Sequence, residues 1–386
     1  MYRFGHEEIH AARAVMESGR LFRYMDEPTS RACLFEKRFA ARMGSAHAIL
    51  VSSGTAALMS ALAGLNIGPG DEVLIPGYTF IATALAVLAV GAVPVLCEID
   101  ETLTLDSQEL ERQSGPRTRA VIPVHMNGLP CEMVRICREA RRLGLVVVED
   151  TCQALGGTFA GRALGTFGEA GAFSFNQFKI LTAGGGGALV MSSRELHDRA
   201  FIFHDGACGV GRPDSVFSVP TFAGMPFRAS EITAAILLAQ LKKLDGILSD
   251  LRAAKKRLAA TCEKRIGLKP VRVHDPDGDC GTTIAWTLSS EAAALRLVEC
   301  ADGAGFEISP AGACMHVCSG WKSLLAGRGG HHPQRNPLLS PAARPLTGQC
   351  ARTVDIIRRT VILNVDIDAD EEKEARFCAH LEARWT

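Results

Sequence analysis

The feature that most constrains the fold is a repeated alternation of short apolar runs and helix-length runs between about residues 45 and 195. Runs such as "HAILVSS", "AVPVLCEI" and "LVVVED" are apolar at most positions and have the length of strands. Runs such as "GTAALMSALAGL" and "CEMVRICREARRLG" lie between them and have the length of helices. Strands that are apolar on both faces are typical of a parallel sheet covered by helices on both sides. The sequence therefore predicts the α/β class.

The rest of the chain predicts a second, smaller unit. The run "ASEITAAILLAQLKKLDGILSDLRAAKKRLAATCEKR", from residue 229, predicts one long helical stretch that links the two units. Residues 270–386 mix short strand and helix patterns, which favours an α+β arrangement. A chain of 386 residues is long enough for more than one domain. We expect a large domain over residues 1–245, including the N-terminal segment, and a small C-terminal α+β domain over residues 246–386.

Charge and cysteine content argue against several classes of protein. Lys plus Arg and Asp plus Glu number 42 each, so the net charge gives no support for binding nucleic acid or a membrane surface. The 13 cysteines are scattered, as in proteins of a reducing compartment. The longest apolar run, residues 81–97, is interrupted by Gly91 and Pro94 and is too short to span a bilayer. We expect a cytoplasmic protein.

The stretch "GAFSFNQFKILTAGGGGALV", residues 171–190, places a single lysine, Lys179, among apolar residues just before four glycines. Lysine is rarely buried without a partner or a chemical role. A phosphate-binding P-loop is excluded, because its glycines precede the lysine and a Ser or Thr follows it. The lysine therefore predicts a different chemistry, and the glycines predict a tight return of the chain into the sheet.

Other polar residues lie where ligands of parallel sheets bind, at the carboxyl ends of strands. Asp150 ends the apolar run "LVVVED", and "SSGTAAL" places Ser53 and Thr55 at a strand-to-helix junction. Simple helix capping explains either feature alone. Free amides at a helix start also make an anion site, to which Ser174 can add a hydroxyl.

Taken together, these residues indicate one cofactor, pyridoxal phosphate. It needs a lysine to form a Schiff base, an acid against its pyridine nitrogen and a cradle for its phosphate. The candidate phosphate-binding turn at residues 52–58, the acid Asp150, the hydroxyl of Ser174 and Lys179 follow one another in that order along the chain.

At this point the sequence resembles the DegT/DnrJ/EryC1/StrS family of pyridoxal-phosphate-dependent sugar aminotransferases. The resemblance covers about residues 15–265, and it is weaker towards the C-terminus. It rests on the motifs "SSGTAAL", "GPGDEVLIPGYTFIATALAVLAVGAVPV", "VHMNG", "VVEDTCQALGG", "FSFNQFK" and "GGGGALV". It implies fold type I, with a mostly parallel sheet between helices in the large domain. It also implies pyridoxamine phosphate as the intermediate form of the cofactor, and a homodimer with the active site at its interface.

The resemblance also implies roles for individual residues. Lys179 matches the Schiff-base lysine, which also moves a proton between substrate and cofactor. Asp150 matches the partner of the pyridine nitrogen, Gln153 the residue that hydrogen-bonds the ring hydroxyl, and Phe80 the aromatic residue stacked on the ring. The matches to the phosphate site are Gly54, Thr55, Ala56 and Ser174. The candidates for substrate contact are Tyr24, Arg228, His316 and Trp321.

Some residues outside this set could bind a metal or act in catalysis, but simpler interpretations suit them. Cys314, His316 and Cys318 lie close together, but their spacing is not that of a metal site, so we expect no metal. Cys152 has no obvious base and is interpreted as a packing residue. A structural hydrogen bond at His125 is at least as good an interpretation as a catalytic one.

Two positions depart from the family pattern. Pro226 stands where the family has an asparagine that reaches the phosphate of the neighbouring subunit, and proline has no side-chain donor. Gly185 stands where the family usually has an acidic residue.

The expected reaction is a ping-pong transfer of an amino group from glutamate or glutamine to a keto or aldehyde group of a sugar, sugar acid or cyclitol. Two segments resemble members that aminate an eight-carbon sugar acid, and the composition equally suits a cluster that makes an aminated sugar or cyclitol. The alternatives are another reaction on the same cofactor, such as a lyase or oxidase, and a non-catalytic sensor. A family dehydratase carries histidine at the lysine position, and Lys179 argues against it.

Overall fold

The computed structural model describes residues 3–23, 29–206, 216–312, 314–340 and 343–385. Its strands are β1 His47–Val51, β2 Glu72–Pro76, β3 Val93–Cys97, β4 Thr118–Val121, β5 Val146–Asp150, β6 Thr158–Phe159, β7 Arg162–Ala163, β8 Ala170–Ser174, β9 Gly187–Met191, β10 Thr283–Thr287, β11 Ile308–Pro310 and β12 Thr360–Asn364. Its α-helices are α1 His6–Ser18, α2 Arg31–Met43, α3 Gly54–Gly64, α4 Ala82–Ala89, α5 Glu109–Gln113, α6 Met133–Leu143, α7 Arg194–His204, α8 Glu231–Leu241, α9 Leu244–Ile266, α10 Glu291–Cys300, α11 Lys322–Leu325, α12 Ala351–Arg358 and α13 Glu371–Trp385.

Seven strands form the central sheet, in the order β1-β9-β8-β5-β4-β2-β3. Strand β9 runs antiparallel to both of its neighbours, whereas the pairs from β8 to β3 are parallel. The predicted largely parallel α/β sheet is therefore confirmed. Residues 175–186, which join β8 to β9, form no helix, whereas the crossover between two parallel strands usually contains one.

The sheet is covered on both faces, as the apolar runs predict. Successive residues of a strand point to opposite sides. In β1, Ile49 and Leu50 belong to two different buried clusters, and in β2 Val73 and Leu74 divide in the same way. Each face therefore packs against its own layer of helices.

The C-terminal part forms a separate antiparallel sheet in the order β10-β12-β11, against which α10 packs. This agrees with the α+β pattern of residues 270–386. The predicted boundary between the two domains, at residues 245 and 246, falls at the start of α9. The division into these two domains stays a prediction.

The long helical stretch predicted from residue 229 is two helices. Helix α8 ends at Leu241, and α9 begins at Leu244. At the turn between them the Lys243 ammonium pairs with the carboxylates of Glu7 and Glu8 on α1, at 2.6 and 2.7 Å. Helix α8 packs against α1 and α2 and α9 packs against α13, so the chain changes direction between two sets of neighbours. In the described ranges, no helix is both long and apolar enough to cross a membrane.

Candidate active site

The start of helix α3 forms the first wall of the site. Ser53 is the N-cap, and its hydroxyl accepts a hydrogen bond from the amide of Ala56 at 3.0 Å. The capping predicted for Ser53 is thus present. The first amides of a helix have no partners within the helix, and the helix dipole adds positive potential there. Gly54, Thr55 and Ala56 lie at this end, as an anion site requires.

Two other segments converge on the same point. A Cβ atom placed on Gly54 would lie 2.6 Å from the Cys152 sulfur and 2.9 Å from the Cβ of Ser174. Only a glycine allows this approach of α3 to the end of β8. The structure therefore brings Ser174, predicted from sequence as a second hydroxyl, against the start of α3.

The glycine run completes this arrangement from the other side. The amide of Gly186 donates to the carbonyl of Ser52 at 3.1 Å, and Gly184 and Gly186 have φ of 79° and 116°. A Cβ on Gly187 would lie 2.3 Å from the Ser53 carbonyl oxygen. The glycines thus let the chain lie directly against the start of α3. Gly185, where the family's acid is missing, is exposed and has no atom within 4 Å of its added Cβ.

Asp150 ends β5 and is 6% exposed. One carboxylate oxygen accepts a hydrogen bond from the Thr83 hydroxyl at 2.8 Å, and the other accepts from the Cys152 amide at 3.2 Å. The Thr83 hydroxyl is in turn 2.7 Å from that of Thr79. Within the described ranges no cation pairs with Asp150. A buried carboxylate is unfavourable without a positive partner, so this position fits a protonated pyridine nitrogen.

Cys152, beside this acid, is half-buried. Burial raises its pKa well above the usual value, and the Asp150 carboxylate raises it further, although the Lys179 charge acts in the opposite direction. The thiol therefore stays protonated, which supports its interpretation as a packing residue.

Gln153 is held by the segment that follows β4. Its side-chain oxygen accepts from the Asn127 amide at 3.0 Å, and its nitrogen lies 3.5 Å from the Met126 sulfur. The Asn127 side chain donates to the Tyr78 hydroxyl at 2.9 Å. Burial raises the pKa of Tyr78 to about 12, so this hydroxyl stays protonated. The amide group of Gln153 is thereby fixed in orientation at the edge of the site.

Lys179 lies half-buried in the wall of a cavity of about 470 Å³ that Gln153 also lines. Its amino group makes no hydrogen bond or ion pair to any residue that the structure describes. An amine with no structural partner, in a cavity and close to Cys152, has the freedom that a covalent role needs.

Phe80 and His316 lie together at the site. Their ring centroids are 5.5 Å apart with an interplanar angle of 47°, and the Phe80 ring is 38% exposed. His316 lines the same cavity as Lys179. The exposed face of Phe80 is consistent with the stacking role that the family resemblance implies.

The other substrate candidates do not gather in the cavity. Trp321 is 1% exposed, and its indole nitrogen donates to the Met315 carbonyl at 2.9 Å, so it packs behind this wall. Arg228 pairs with the Asp205 carboxylate at 2.6 Å and lies over the Phe22 ring at 5.0 Å. Tyr24 lies outside the described residues.

His125 has a structural position. The amide of Cys131 donates to its Nδ1 at 3.1 Å, which requires a neutral ring with the proton on Nε2. Nε2 lies 3.2 Å from Glu149, whose carboxylate also accepts from the amides of Gly165 and Gly168. This network anchors the strand that ends in Asp150. In the part of the chain that the structure describes, no group of His, Cys, Asp and Glu side chains is arranged to hold a metal ion.

The residues present fit pyridoxal phosphate. The start of α3 with Ser174 suits its phosphate, Asp150 its ring nitrogen, Gln153 its ring hydroxyl and Lys179 its aldehyde. Sequence reasoning missed Thr79, Thr83 and Asn127, which hold these residues in place. Thr79 and Thr83 are four residues apart in "TFIAT", but Thr79 precedes helix α4, so this spacing is not that of a helical face and gave no signal.

Known proteins resemble the chain over much of its length. A segment of 244 residues is 39% identical to GDP-perosamine synthase of Caulobacter vibrioides, and it spans 63% of each chain, which is less than two thirds of that relative. The chain is 33% identical over 358 residues to L-glutamine:2-deoxy-scyllo-inosose aminotransferase of Streptomyces kanamyceticus, with 88% of this chain and 83% of that one covered.

Solved structures resemble the whole fold. The crystal structure of 3-amino-5-hydroxybenzoic acid synthase superposes with a TM-score of 0.82 at 26% identity, and 99% of this chain and 97% of that chain are covered. The family described as the DegT/DnrJ/EryC1/StrS aminotransferase family matches residues 3–295. The chain belongs to this family.

Proposed function

We propose that the protein is a pyridoxal-phosphate-dependent aminotransferase. It takes an amino group from glutamate or glutamine and transfers it, by a ping-pong mechanism, to a keto or aldehyde group of a sugar, sugar acid or cyclitol. The names of the relatives support this class, since one is a glutamine-dependent cyclitol aminotransferase and another a synthase of an aminated nucleotide sugar.

The observation that carries the proposal is that, among the described residues, the amine of Lys179 has no partner and the buried carboxylate of Asp150 pairs with no cation. In a purely structural site, the two opposite charges would pair. Here Asp150 is held by two neutral donors, and Lys179 lines a cavity instead. Both residues are therefore available to a bound cofactor. Asp150 suits a positively charged atom of that cofactor, and the amine of Lys179 suits an electrophilic carbon.

Pyridoxal phosphate, when bound, supplies the electrophilic carbon and withdraws electrons from the substrate carbon. The chain's residues do the rest. Asp150 would hold the proton on the ring nitrogen, and the amides at the start of α3 with Ser174 would hold the phosphate. Gln153 would orient the ring through its hydroxyl. The amine of Lys179 would hold the cofactor and then carry a proton to and from the substrate carbon.

We propose that the active protein is a homodimer with the site at its interface, because this fold commonly completes its cofactor site with a second subunit. In such a dimer, Pro226 would remove one contact between subunits, because the family asparagine at this position reaches the phosphate of the neighbouring subunit. Asp205 pairs with Pro226 in an isolated bridge and with Arg228 through its carboxylate, so the segment keeps its shape without the asparagine.

The decisive test uses the purified protein with its cofactor. We expect L-glutamate or L-glutamine to convert the visible absorbance of the pyridoxal form into that of the pyridoxamine form. Borohydride reduction followed by peptide mass spectrometry should then place the cofactor on Lys179. Recovery of the cofactor on another lysine would sink the assignment.

A matched variant separates attachment from folding. Lys179→Ala should remove the covalent label and the amino-transfer reaction while leaving the unfolding midpoint of the apoprotein nearly unchanged, because the side chain makes no polar contact with any described residue. Lys242→Ala, at the turn between α8 and α9, serves as the control and should keep both the covalent label and the amino-transfer reaction. Absorbance that persists in the pyridoxal form with every amino donor tried would favour the sensor alternative.

A further inference from the structure

The loop that carries Lys179 is closed at its base by Thr182. This residue is fully buried, and its hydroxyl donates to the carbonyl of Phe175 at 3.3 Å and accepts from the amide of Gly184 at 3.0 Å. The amide of Ala183 donates to the same Phe175 carbonyl at 3.1 Å. Lys179 therefore lies in a loop whose two ends are joined, and the position of Thr182 sets the position of that loop.

A buried glutamine on α8 holds the base of the loop. Gln240 is fully buried, although its neighbours in the run "AAILLAQL" are apolar. Its side-chain oxygen accepts a hydrogen bond from the backbone amide of Thr182 at 3.4 Å. Buried polar groups are unfavourable unless they are hydrogen-bonded, so this contact satisfies a group on each side. The loop is thereby attached to α8.

The orientation of the Gln240 amide group is decided by Glu8 on α1. The side-chain nitrogen of Gln240 donates to the Glu8 carboxylate at 2.9 Å, and an ionised carboxylate can only accept. Burial by itself raises the pKa of Glu8, but hydrogen bonds from Lys243 and Gln240 outweigh it and lower that pKa, so the group is ionised at neutral pH. The nitrogen must therefore face α1, and the oxygen faces Thr182.

Glu8 is fixed in turn by two further donors. The amide of Gly5 donates to its carboxylate at 2.7 Å in the capping box of α1, and the Lys243 ammonium lies 2.7 Å from it. A continuous line of polar contacts thus runs from the turn between α8 and α9, through Glu8 and Gln240, to the base of the Lys179 loop. Apolar packing is not directional, whereas each link in this line permits one direction of donation.

We propose that Gln240 is a positioning residue for Lys179, and that Glu8 and Lys243 act through it by fixing the direction of its amide group. The line sets the base of the loop, and with it the point at which the Lys179 amine meets the cofactor. Placement of a reacting group affects rate steeply, since a displacement of about 1 Å can cost about 100-fold. The inference rests on the covalent role proposed for Lys179.

Gln240→Met tests the link between α8 and the loop, because methionine has a similar length but lacks the amide oxygen. In the apoprotein, hydrogen exchange in residues 175–186 should become about tenfold faster. With pyridoxal phosphate added, borohydride trapping at a series of times and cofactor concentrations measures attachment to Lys179. The first-order rate constant at saturation should fall about tenfold or more, while the concentration at half-saturation should change less than about twofold.

These readouts separate positioning from folding. A variant that only lowers the folded fraction reduces the amplitude of labelling and leaves its rate constant unaltered, and denaturant unfolding of each variant measures that fraction. If either the exchange or the rate constant in Gln240→Met equals that of the unaltered protein, the inference is overturned.

A second pair of variants tests the contribution of α1. A glutamine at position 8 donates as well as accepts, so in Glu8→Gln the Gln240 amide is no longer held in one direction, and the rate constant should fall about threefold or more. Glu374→Gln is the matched control, since Glu374 is also a buried acid and lies 3.0 Å from Arg257, between α13 and α9. It should leave the exchange and the rate constant unchanged. Equal rate constants in the two variants would overturn the role of Glu8.

Failure of the proposed function gives different results. Attachment of the cofactor to another lysine in the unaltered protein would remove the covalent role of Lys179. Attachment to Lys179 without conversion by any amino donor would contradict amino transfer alone. Neither result resembles normal attachment to Lys179 in Gln240→Met, which contradicts only the present inference.

Discussion

At the scale of single residues, the site depends on side chains that never touch the substrate. Thr83 lies in the first turn of α4 and is fully buried, and its hydroxyl is the donor that fixes one oxygen of Asp150. Thr79 extends the same chain of hydroxyls. We regard both as positioning residues, because they act on the cofactor through the carboxylate.

Thr83→Val keeps the shape of the side chain and removes this donor. A hydrogen bond to a charged group contributes about 1.5–3 kcal/mol, so the dissociation constant of pyridoxal phosphate should rise by about tenfold or more. Absorbance titration of the apoprotein measures it. Thr104→Val, in another buried pair of threonine hydroxyls 2.8 Å apart, is the control and should not alter cofactor affinity. An unchanged dissociation constant for Thr83→Val would remove Thr83 from the site.

The sequence indicates the residues to which we assign a chemical role, but it does not indicate the residues that hold them in place. Lys179, Asp150 and Gln153 are candidates because each is unusual where it stands or matches a family motif. Thr83 and Asn127 carry no local signal of this kind, since each meets its partner, Asp150 or Gln153, only in the folded chain. Trp321 is a substrate candidate because the family resemblance implies substrate contacts in this region, yet its side chain is buried.

At the scale of elements, the contact between β9 and the start of α3 allows a paired test. In Gly187→Ala the new methyl would lie 2.3 Å from the Ser53 carbonyl oxygen, so the helix start must move. Overpacking of this kind destabilises by about 1–3 kcal/mol, and displaced amides should also weaken phosphate binding. Gly185→Ala meets no atom within 4 Å and is the matched control. Urea unfolding and cofactor titration of both variants are the measurements, and equal behaviour of the two would contradict the packing argument.

Helix α7 provides a test that depends on pH. Asp198 is buried, which by itself raises the pKa of its carboxyl, but the Ser218 amide, Arg194 and His197 outweigh this and lower the pKa to about 2. Since the pKa in the folded chain is below the unfolded value, the carboxylate stabilises the fold above about pH 4. That contribution is lost as the pH falls towards 2.

Asp198→Asn should therefore lower the free energy of unfolding by about 2 kcal/mol at pH 7, and this difference should shrink as the pH approaches 2. Denaturant unfolding at a series of pH values measures it. Asp368→Asn, which breaks an exposed ion pair with Arg3, should have little effect at any pH. A loss of stability in Asp198→Asn that is independent of pH would show that the carboxylate charge is not its cause.

The element pattern was largely predictable, because strand and helix periods differ and the central strands are apolar on both faces. The direction of β9 and the break between α8 and α9 were not predicted. Both depend on which neighbours an element packs against, and the apolar pattern of a segment does not specify its partners.

At the scale of the whole molecule, two large apolar side chains are exposed beside the site. Phe178, next to Lys179, is 85% exposed, and Met315 is 49% exposed. Such groups are commonly covered by a second subunit. The proposed dimer would explain their exposure in a single chain.

Sedimentation or light scattering should give twice the 41.2 kDa mass of the chain. Phe178→Ser should shift the equilibrium towards the monomer, since a buried aromatic anchor commonly carries a large share of interface energy. Leu295→Ser, a 48% exposed residue on α10, should leave the dimer unchanged. A monomeric mass for the unaltered protein would rule the dimer out.

The pairing of β1 with β9 also has a consequence for synthesis of the chain. Residues 47–51 leave the ribosome early, yet their partner strand spans residues 187–191. The start of α3, which follows β1, packs against Gly186 and Gly187, so it lacks these contacts until residue 187 has been translated. Nascent chains that end before residue 187 should therefore not retain the cofactor, and the complete central sheet should be required for its binding.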